Sequence, residues 1–530
     1  MISINFSNLA QQSLDSFSRV LTRQDKTIAL ITSLVLVVLA IGIYYCRPLS
    51  QYRFYSRPSE SNHLQSRIHE VYHGPLPFIP TSEASQTTSL SPSSPITFQE
   101  LVLNTQSFET YHPLPTADNR IETLIAQGLA LEQEIVAQAN QTRPILHENV
   151  VQLMDDFLNY KKQFGSSVEQ ALYATMNVQA LIDRLLIKRP LAFLLPSDSY
   201  LLRDGQTRGN GQFETIGTET EKAPLTLNEY LSYDEMQLSA FLGVSTPTHF
   251  INNGARNNRG IASSSQSHEN SGIYVGLVGA RFERPERMEW QHMLITAAQN
   301  TTEKGYGTHN SAHPYLKLWS AFYGHPFPTF EEAQNDGTGK FLRIDQNTYL
   351  NVAVYKERMR LVIEPFLIEA NQRASDSNKM AYVHAVGLGL GVWQVSPKQA
   401  ELMLDVYADI LSKHHLPFIA DLDFSWFPQG LTCGGVGHLN TFEAGLNKIN
   451  LHFSKRNPAD KLLGEDSGKL IVASYAWDSN SYPGNEYWNG QLSASGDPAA
   501  ACCSTIPQLQ NPLINKSLTS KKLFICKNQT

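Results

Sequence analysis

The chain has 530 residues, 42% of them hydrophobic and 10% aromatic, with a net charge of −7. That leaves room for one large domain or two ordinary ones, and an acidic balance with no basic run is not the footprint of a nucleic-acid binder. Five scattered cysteines (Cys46, Cys433, Cys502, Cys503 and Cys526) include no CxxC pair, which argues against a disulfide framework and against a zinc site.

Residues 1–26 read as a tail. Thr27 to Cys46 (TIALITSLVLVVLAIGIYYC) is apolar and uncharged throughout, a length that suits a bilayer span of roughly 20 residues. Arg23 and Lys26 precede it and Arg47, Arg53 and Arg57 come after it. The pattern predicts a single-pass transmembrane anchor rather than a cleaved leader, whose apolar core is shorter. The Arg-rich flank biases the chain beyond it toward the cytosol. Residues 47–118, with the Ser/Thr/Pro-rich core PTSEASQTTSLSPSSP at 80–95, cannot bury enough surface to offset their ordering entropy and read as a flexible tether.

Over 119–229 the pattern turns helical. Ile121, Leu124, Ile125 and Leu129 recur at three- and four-residue steps, as do Val150, Leu153, Met154, Phe157 and Leu158, and then Leu181, Leu185 and Leu186. Pro144 and Gly165 divide the stretch, which predicts three helices, either a separate bundle or the first layer of the α/β domain. From 230 to 515 strands and helices alternate. Strands are expected at 273–280, 382–386, 418–422, 449–453 and 470–476, and helices at 288–298, 349–371 and 396–414. This order predicts a mostly parallel sheet covered on both sides, and residues 516–530 read as a tail.

Four loops carry candidate chemistry. The strand at 470–476 runs into AWDSNSYPGNEYW and then SGDPAAACC, which place Asp478, Asn480, Asn485, Glu486 and Asp497 beyond a strand terminus. Ligands bind at such carboxyl ends in open α/β sheets. A carboxylate there can act as general base on water or orient a sugar hydroxyl, although SGDP also fits Asp497 as a helix cap. The run VGLGLGVWQ (386–394) alternates Gly387, Gly389 and Gly391 between a strand and a helix, and can aim amides at a phosphate or simply form a tight turn. In VGARFERPERMEW (278–290), Arg281 and Glu289 are candidates for ligand contact, while Glu283, Arg284, Glu286 and Arg287 read as an exposed salt-bridged turn. In DLDFSWF (421–427), Asp421 and Asp423 share a strand face and suit a ribose or a metal, but no histidine stands at ligand spacing, so no metal site is expected.

These four segments together resemble the macrodomain superfamily, closest to its poly(ADP-ribose) glycohydrolase-like branch and to a macrodomain-like family found among bacterial effector proteins. The glycohydrolase GGG…QEE signature is absent, and the glycine loop precedes the AWD loop, the reverse of the usual order. The resemblance implies a three-layer α/β/α mixed sheet that binds ADP-ribose without a further cofactor. Gly387, Gly389 and Gly391 would lie at the diphosphate, and Asp478 and Asn485 at the distal ribose, with Trp393 among the binding residues. The catalytic carboxylates would come from Asp478, Asp497 and Glu486, with Glu289, Arg281 and Asp423 as further binding residues. It implies an ADP-ribosylhydrolase acting on modified proteins, with a host membrane and a host protein partner if the chain is an effector. A non-catalytic reader of ADP-ribose and a membrane-tethered adaptor are the alternatives.

Overall fold

Hydrophobicity is continuous, not alternating, in the strands that build the centre of the molecule. The computed structural model describes residues 95–194, 197–308 and 313–527. It contains a nine-stranded sheet made from β1 (Arg143–His147), β2 (Gly243–His249), β3 (Ser271–Leu277), β4 (Ala381–Val386), β5 (Ile419–Ser425), β6 (Asn440–Ala444), β7 (Asn447–His452), β8 (Leu470–Ala476) and β9 (Phe524–Cys526). Their order across the sheet is β6-β7-β5-β4-β8-β3-β2-β1-β9. The five from β7 to β3 run parallel, β6 and β2 run against their neighbours, and β9 is parallel to β1. Consecutive residues of β3, β4 and β8 are buried, so both faces of the sheet centre are covered. The β7 edge alternates buried and exposed, the signature of a half-solvated strand.

A 25-residue helix, α1 (Val352–Asp376), runs against β1, β2, β4, β5, β8 and β9. Asn351 caps its start by accepting from the Val354 amide, one of the donors a helix leaves unpaired. A second helix, α2 (Lys398–Lys413), packs beside it. The eight-residue helix α3 (Gly496–Cys503) lies against β8. Its small side chains (Ala499, Ala500, Ala501, Cys502, Cys503) are all buried, and so permit close approach.

The described residues form one compact unit, and the stretch 119–229 is built into it. Pro144, expected to separate two helices, lies in β1 opposite Val244, with helices at Ile121–Ala126, Glu132–Gln141, Glu148–Phe164, Ser167–Tyr173 and Val178–Ile187 around it. The C-terminal stretch expected as a tail supplies β9. The helix expected at 288–298 is only the turn Trp290–Met293, succeeded by a short strand, Leu294–Thr296; the apolar spacing there serves a small second sheet. The anchor expected at 27–46 and most of the tether lie outside the described residues. Among the described residues no helix is long and apolar enough to cross a membrane.

Candidate active site

β3, β8 and β4 are adjacent and parallel, so their carboxyl ends open on one edge of the sheet. The loops after β3 and β4 touch: a Cβ on Gly279 would stand 2.4 Å from the Gly389 amide nitrogen and 2.5 Å from the Leu388 carbonyl carbon, so only glycine fits. Gly389 itself turns with φ +71°, a conformation that costs other residues about a kcal/mol or more. Between them β8 continues one step, the Trp477 amide donating to the Leu277 carbonyl at 2.8 Å, and then delivers Asp478.

Four carboxyls gather around this point. Asp478 accepts from the Asn485 side-chain amide; burial, then the charge of Glu486, push its pKa up to about 7, against the Asn485 bond and Arg281, which pull it down. Asp497 accepts from the Gly484 amide at 2.7 Å through Oδ1. Its Oδ2 is buried and finds no hydrogen-bond partner among the described residues. Burial, Asp478 and Glu486 raise its pKa well above the ordinary range. Glu486, held by the Ser495 hydroxyl at 3.3 Å, is raised by burial. Glu283 accepts from the Trp393 indole at 3.2 Å and is raised by burial, with Glu486 adding to it. No lysine or arginine forms an ion pair with any of the four among the described residues. Burial raises all four, and neighbouring acids raise Asp478, Asp497 and Glu283 further, the pattern of interacting carboxyls in one buried place.

The loop that holds these groups is anchored from behind. Arg281, Glu289 and Arg358 are all 0% exposed. Arg281 donates to Glu289 through Nε at 3.0 Å and Nη2 at 3.2 Å, and Arg358 adds a bond at 3.1 Å. The remaining Nη1 of Arg281 donates to the Asp478 carbonyl and to Asn480. Ser479 sits at φ +56°, strain held by its contact with Ser239 at 3.0 Å. The region ahead of the sheet pins the rest. Asn485 exchanges bonds with both backbone groups of Phe193, the Tyr482 hydroxyl donates to the Ile187 carbonyl at 2.6 Å, and Tyr487 meets Thr116 at 2.8 Å. Arg189, buried, lies over the Trp477 ring at 4.5 Å, and burial holds its pKa down at about 9.

Of the residues singled out in the sequence, Asp478, Asn485, Glu486 and Asp497 converge, Trp393 joins them through Glu283, and Gly387, Gly389 and Gly391 form the adjoining turn. Others stand elsewhere. Arg281 and Glu289 lie beneath the loop and spend their polar atoms on the protein. Asp423 is inside β5, two strands from Asp478, where Tyr382 and Ser454 donate to it at 2.9 Å and 2.8 Å; the strand runs on to Ser425, so this acid is not at its end. Asp421 is taken by His452 and Lys469. Asp497 does not cap α3, whose N-cap is Ser495; it occupies the first turn. Glu283, read as part of an exposed turn, belongs to the cluster. Its position just past the Gly279 turn at the carboxyl end of β3 is the signal that could have marked it. Among the described residues, three potential metal-ligand side chains bring their atoms within 4.8 Å of one another only at buried His147, Glu364 and Cys526, by β1 and β9. There the Arg360 guanidinium already contacts His147 and Glu364, where a cation would sit.

The family described as ADP-ribosylhydrolase MavL-like matches residues 102–530. Two Drosophila melanogaster proteins are similar over most of their length. ADP-ribosylarginine hydrolase CG3568 is 40% identical over 406 residues, 74% of this chain and 78% of the relative. ADP-ribosylarginine hydrolase CG2909 is 37% identical over 401 residues, 73% and 78% of the two chains. The carboxyl cluster at the strand ends thus lies in a chain that belongs to the MavL-like ADP-ribosylhydrolase family and is a hydrolase acting on ADP-ribosyl linkages.

Proposed function

We propose that the chain removes ADP-ribose from arginine side chains of modified proteins, with Asp478 and Asp497 as the catalytic pair. The observation that carries this is the cluster itself: Asp478, Glu486, Asp497 and Glu283 crowd together with no cation paired to them among the described residues. A guanidinium is planar, cationic and matched to carboxylates, and would relieve their mutual repulsion. Both fly relatives carry arginine in their names. Ordinary electrostatics divides the labour. Asp478, its pKa pushed up to about 7, takes a proton from water as the water oxygen bonds to the ribose anomeric carbon. The carbon–nitrogen bond breaks with its electron pair on the guanidine nitrogen. Asp497, whose surroundings keep its proton on, returns one to that nitrogen. Glu486 and Glu283 hold the guanidinium, and the turn at Gly387–Gly391 supplies amides to the diphosphate, in the manner of a macrodomain-like sheet.

The test is release of ADP-ribose from arginine-, serine- and glutamate-linked adducts by wild type, Asp478→Asn and Asp497→Asn. The proposal expects release from the arginine adduct, reduced about 100-fold or more in each variant. Release from the other linkages alone, or unchanged rates in both variants, would sink it. The uncharged stretch 27–46 supports, as a further proposal, a single-pass anchor with the hydrolase on the cytosolic side; membrane flotation of the full chain and of a chain lacking 1–94 checks it. The effector role and a host protein partner rest on the resemblance to the bacterial effector family.

A further inference from the structure

A cleft of about 730 Å³ opens at the opposite edge of the sheet from the carboxyl cluster, at the amino ends of β3 and β8. Its lining includes Ser271 and Ile273 of β3, Leu470 of β8, Pro247 of β2 and the last turn of α1. Three cations enter it: Arg143, Arg373 and Lys522. Among the described residues the only carboxylate lining it is Asp376. A second carboxylate, Glu369, lies fully buried beneath and is shared by both arginines.

The two guanidinium groups are fixed. Arg143 donates to Glu369 through Nε at 3.0 Å and Nη2 at 2.7 Å, and lies over the Phe524 ring at 4.5 Å. Arg373 donates through Nε to Glu369 at 2.7 Å and through Nη2 to the Gln141 carbonyl at 2.8 Å. None of these bonds uses Nη1 of either arginine. Lys522 pairs with no carboxylate among the described residues; its ammonium donates to the Asn140 carbonyl at 2.7 Å. Burial pushes its pKa down to about 8, and for Arg373 burial and then Arg143 act in the same direction against Glu369. The cations therefore outnumber their counter-ions in a partly desolvated place, where an added anion gains more than it would at an open surface. The Nη1 group left on each guanidinium is a charged donor suited to a phosphate oxygen. The volume falls within the range of small-molecule sites, and Ile273, Leu470 and Pro247 offer an apolar floor.

We infer that this cleft binds a small phosphorylated anion, up to a nucleotide in size, at a site separate from the hydrolytic loops. The probe is inorganic pyrophosphate, titrated calorimetrically into the wild-type protein at low salt. Lys522→Glu should weaken binding at least tenfold, and Asp376→Asn should tighten it a few-fold. Gly391→Asp puts a carboxylate into open space in the glycine turn and should leave pyrophosphate binding unchanged, because that turn is at the other edge. No heat at millimolar pyrophosphate would overturn the inference. So would binding that survives Lys522→Glu, or binding that disappears in Gly391→Asp, which would place the anion in the hydrolytic site instead.

Discussion

Replacing Glu289 by glutamine separates a residue that touches ligand from one that holds the site together. Burial alone would raise the Glu289 carboxyl, but Arg281 and Arg358 outweigh it and keep it below its ordinary value. Glutamine keeps the shape and removes the charge, leaving two fully buried guanidinium groups without a counter-ion. Breaking a buried pair in this way costs about 3–5 kcal/mol. For the compact unit formed by the described residues, an unfolding entropy of about 2.1 cal/mol/K per residue makes that a fall in Tm of about 3–5 °C. Calorimetric melting at pH 7 measures it. The sign with pH is also fixed: a carboxyl lowered in the folded state contributes stability above its unfolded value of 4.5 and loses it as pH falls further. The gap between wild type and Glu289→Gln should therefore narrow below about pH 4.5. A variant that melts like wild type but has lost ADP-ribose binding would refute the reasoning and return Glu289 to the ligand.

Asp478, with a pKa pushed up to about 7, predicts a rate that climbs tenfold per pH unit below neutrality and levels off above it. Glu486→Gln removes a charge that raises that value, so the midpoint should move down by about one unit, or about 1.4 kcal/mol. A midpoint that stays put or rises contradicts the assignment. Asp497→Asn should lose activity yet raise Tm at pH 8 relative to wild type. A carboxyl raised in the folded state contributes its stability at low pH and loses it as pH rises through the folded value, and Asp497 is raised well above 3.8. Equal melting of the two proteins at pH 8 would count against the buried repulsion. Finally, a chain lacking residues 1–94 should keep full hydrolase activity, since the family match starts at residue 102; a large fall in kcat/KM would show that the missing part contributes to the site.

The central strands were legible because they are buried on both faces: LIVASYA and AYVHAV are mostly apolar runs, interrupted only by Ser474 and His384, bounded by glycine or polar turns. The acidic loop was legible because its carboxylates come directly after such a run. What failed was long-range pairing. Nothing local says that RPILH (143–147) joins β2, or that FIC (524–526) pairs with it, because three- and five-residue strands carry too few side chains to show a period. Glu283 and Glu289 are six residues apart in a segment that mixes acidic and basic residues. Which of them meets two buried arginines and which meets Trp393 depends on α1 and the glycine turn, more than 60 residues further on.

The bonds that pin the acidic loop span enormous lengths of chain: 292 residues between Phe193 and Asn485, 295 between Ile187 and Tyr482, 371 between Thr116 and Tyr487. Closing such loops is entropically expensive and slow. Newly made protein must therefore complete nearly its whole architecture before the four acids acquire their neighbours, so hydrolytic competence should be the last property to emerge during maturation. Any lesion that frees the amino-terminal helices would silence the enzyme while most of the sheet still stands.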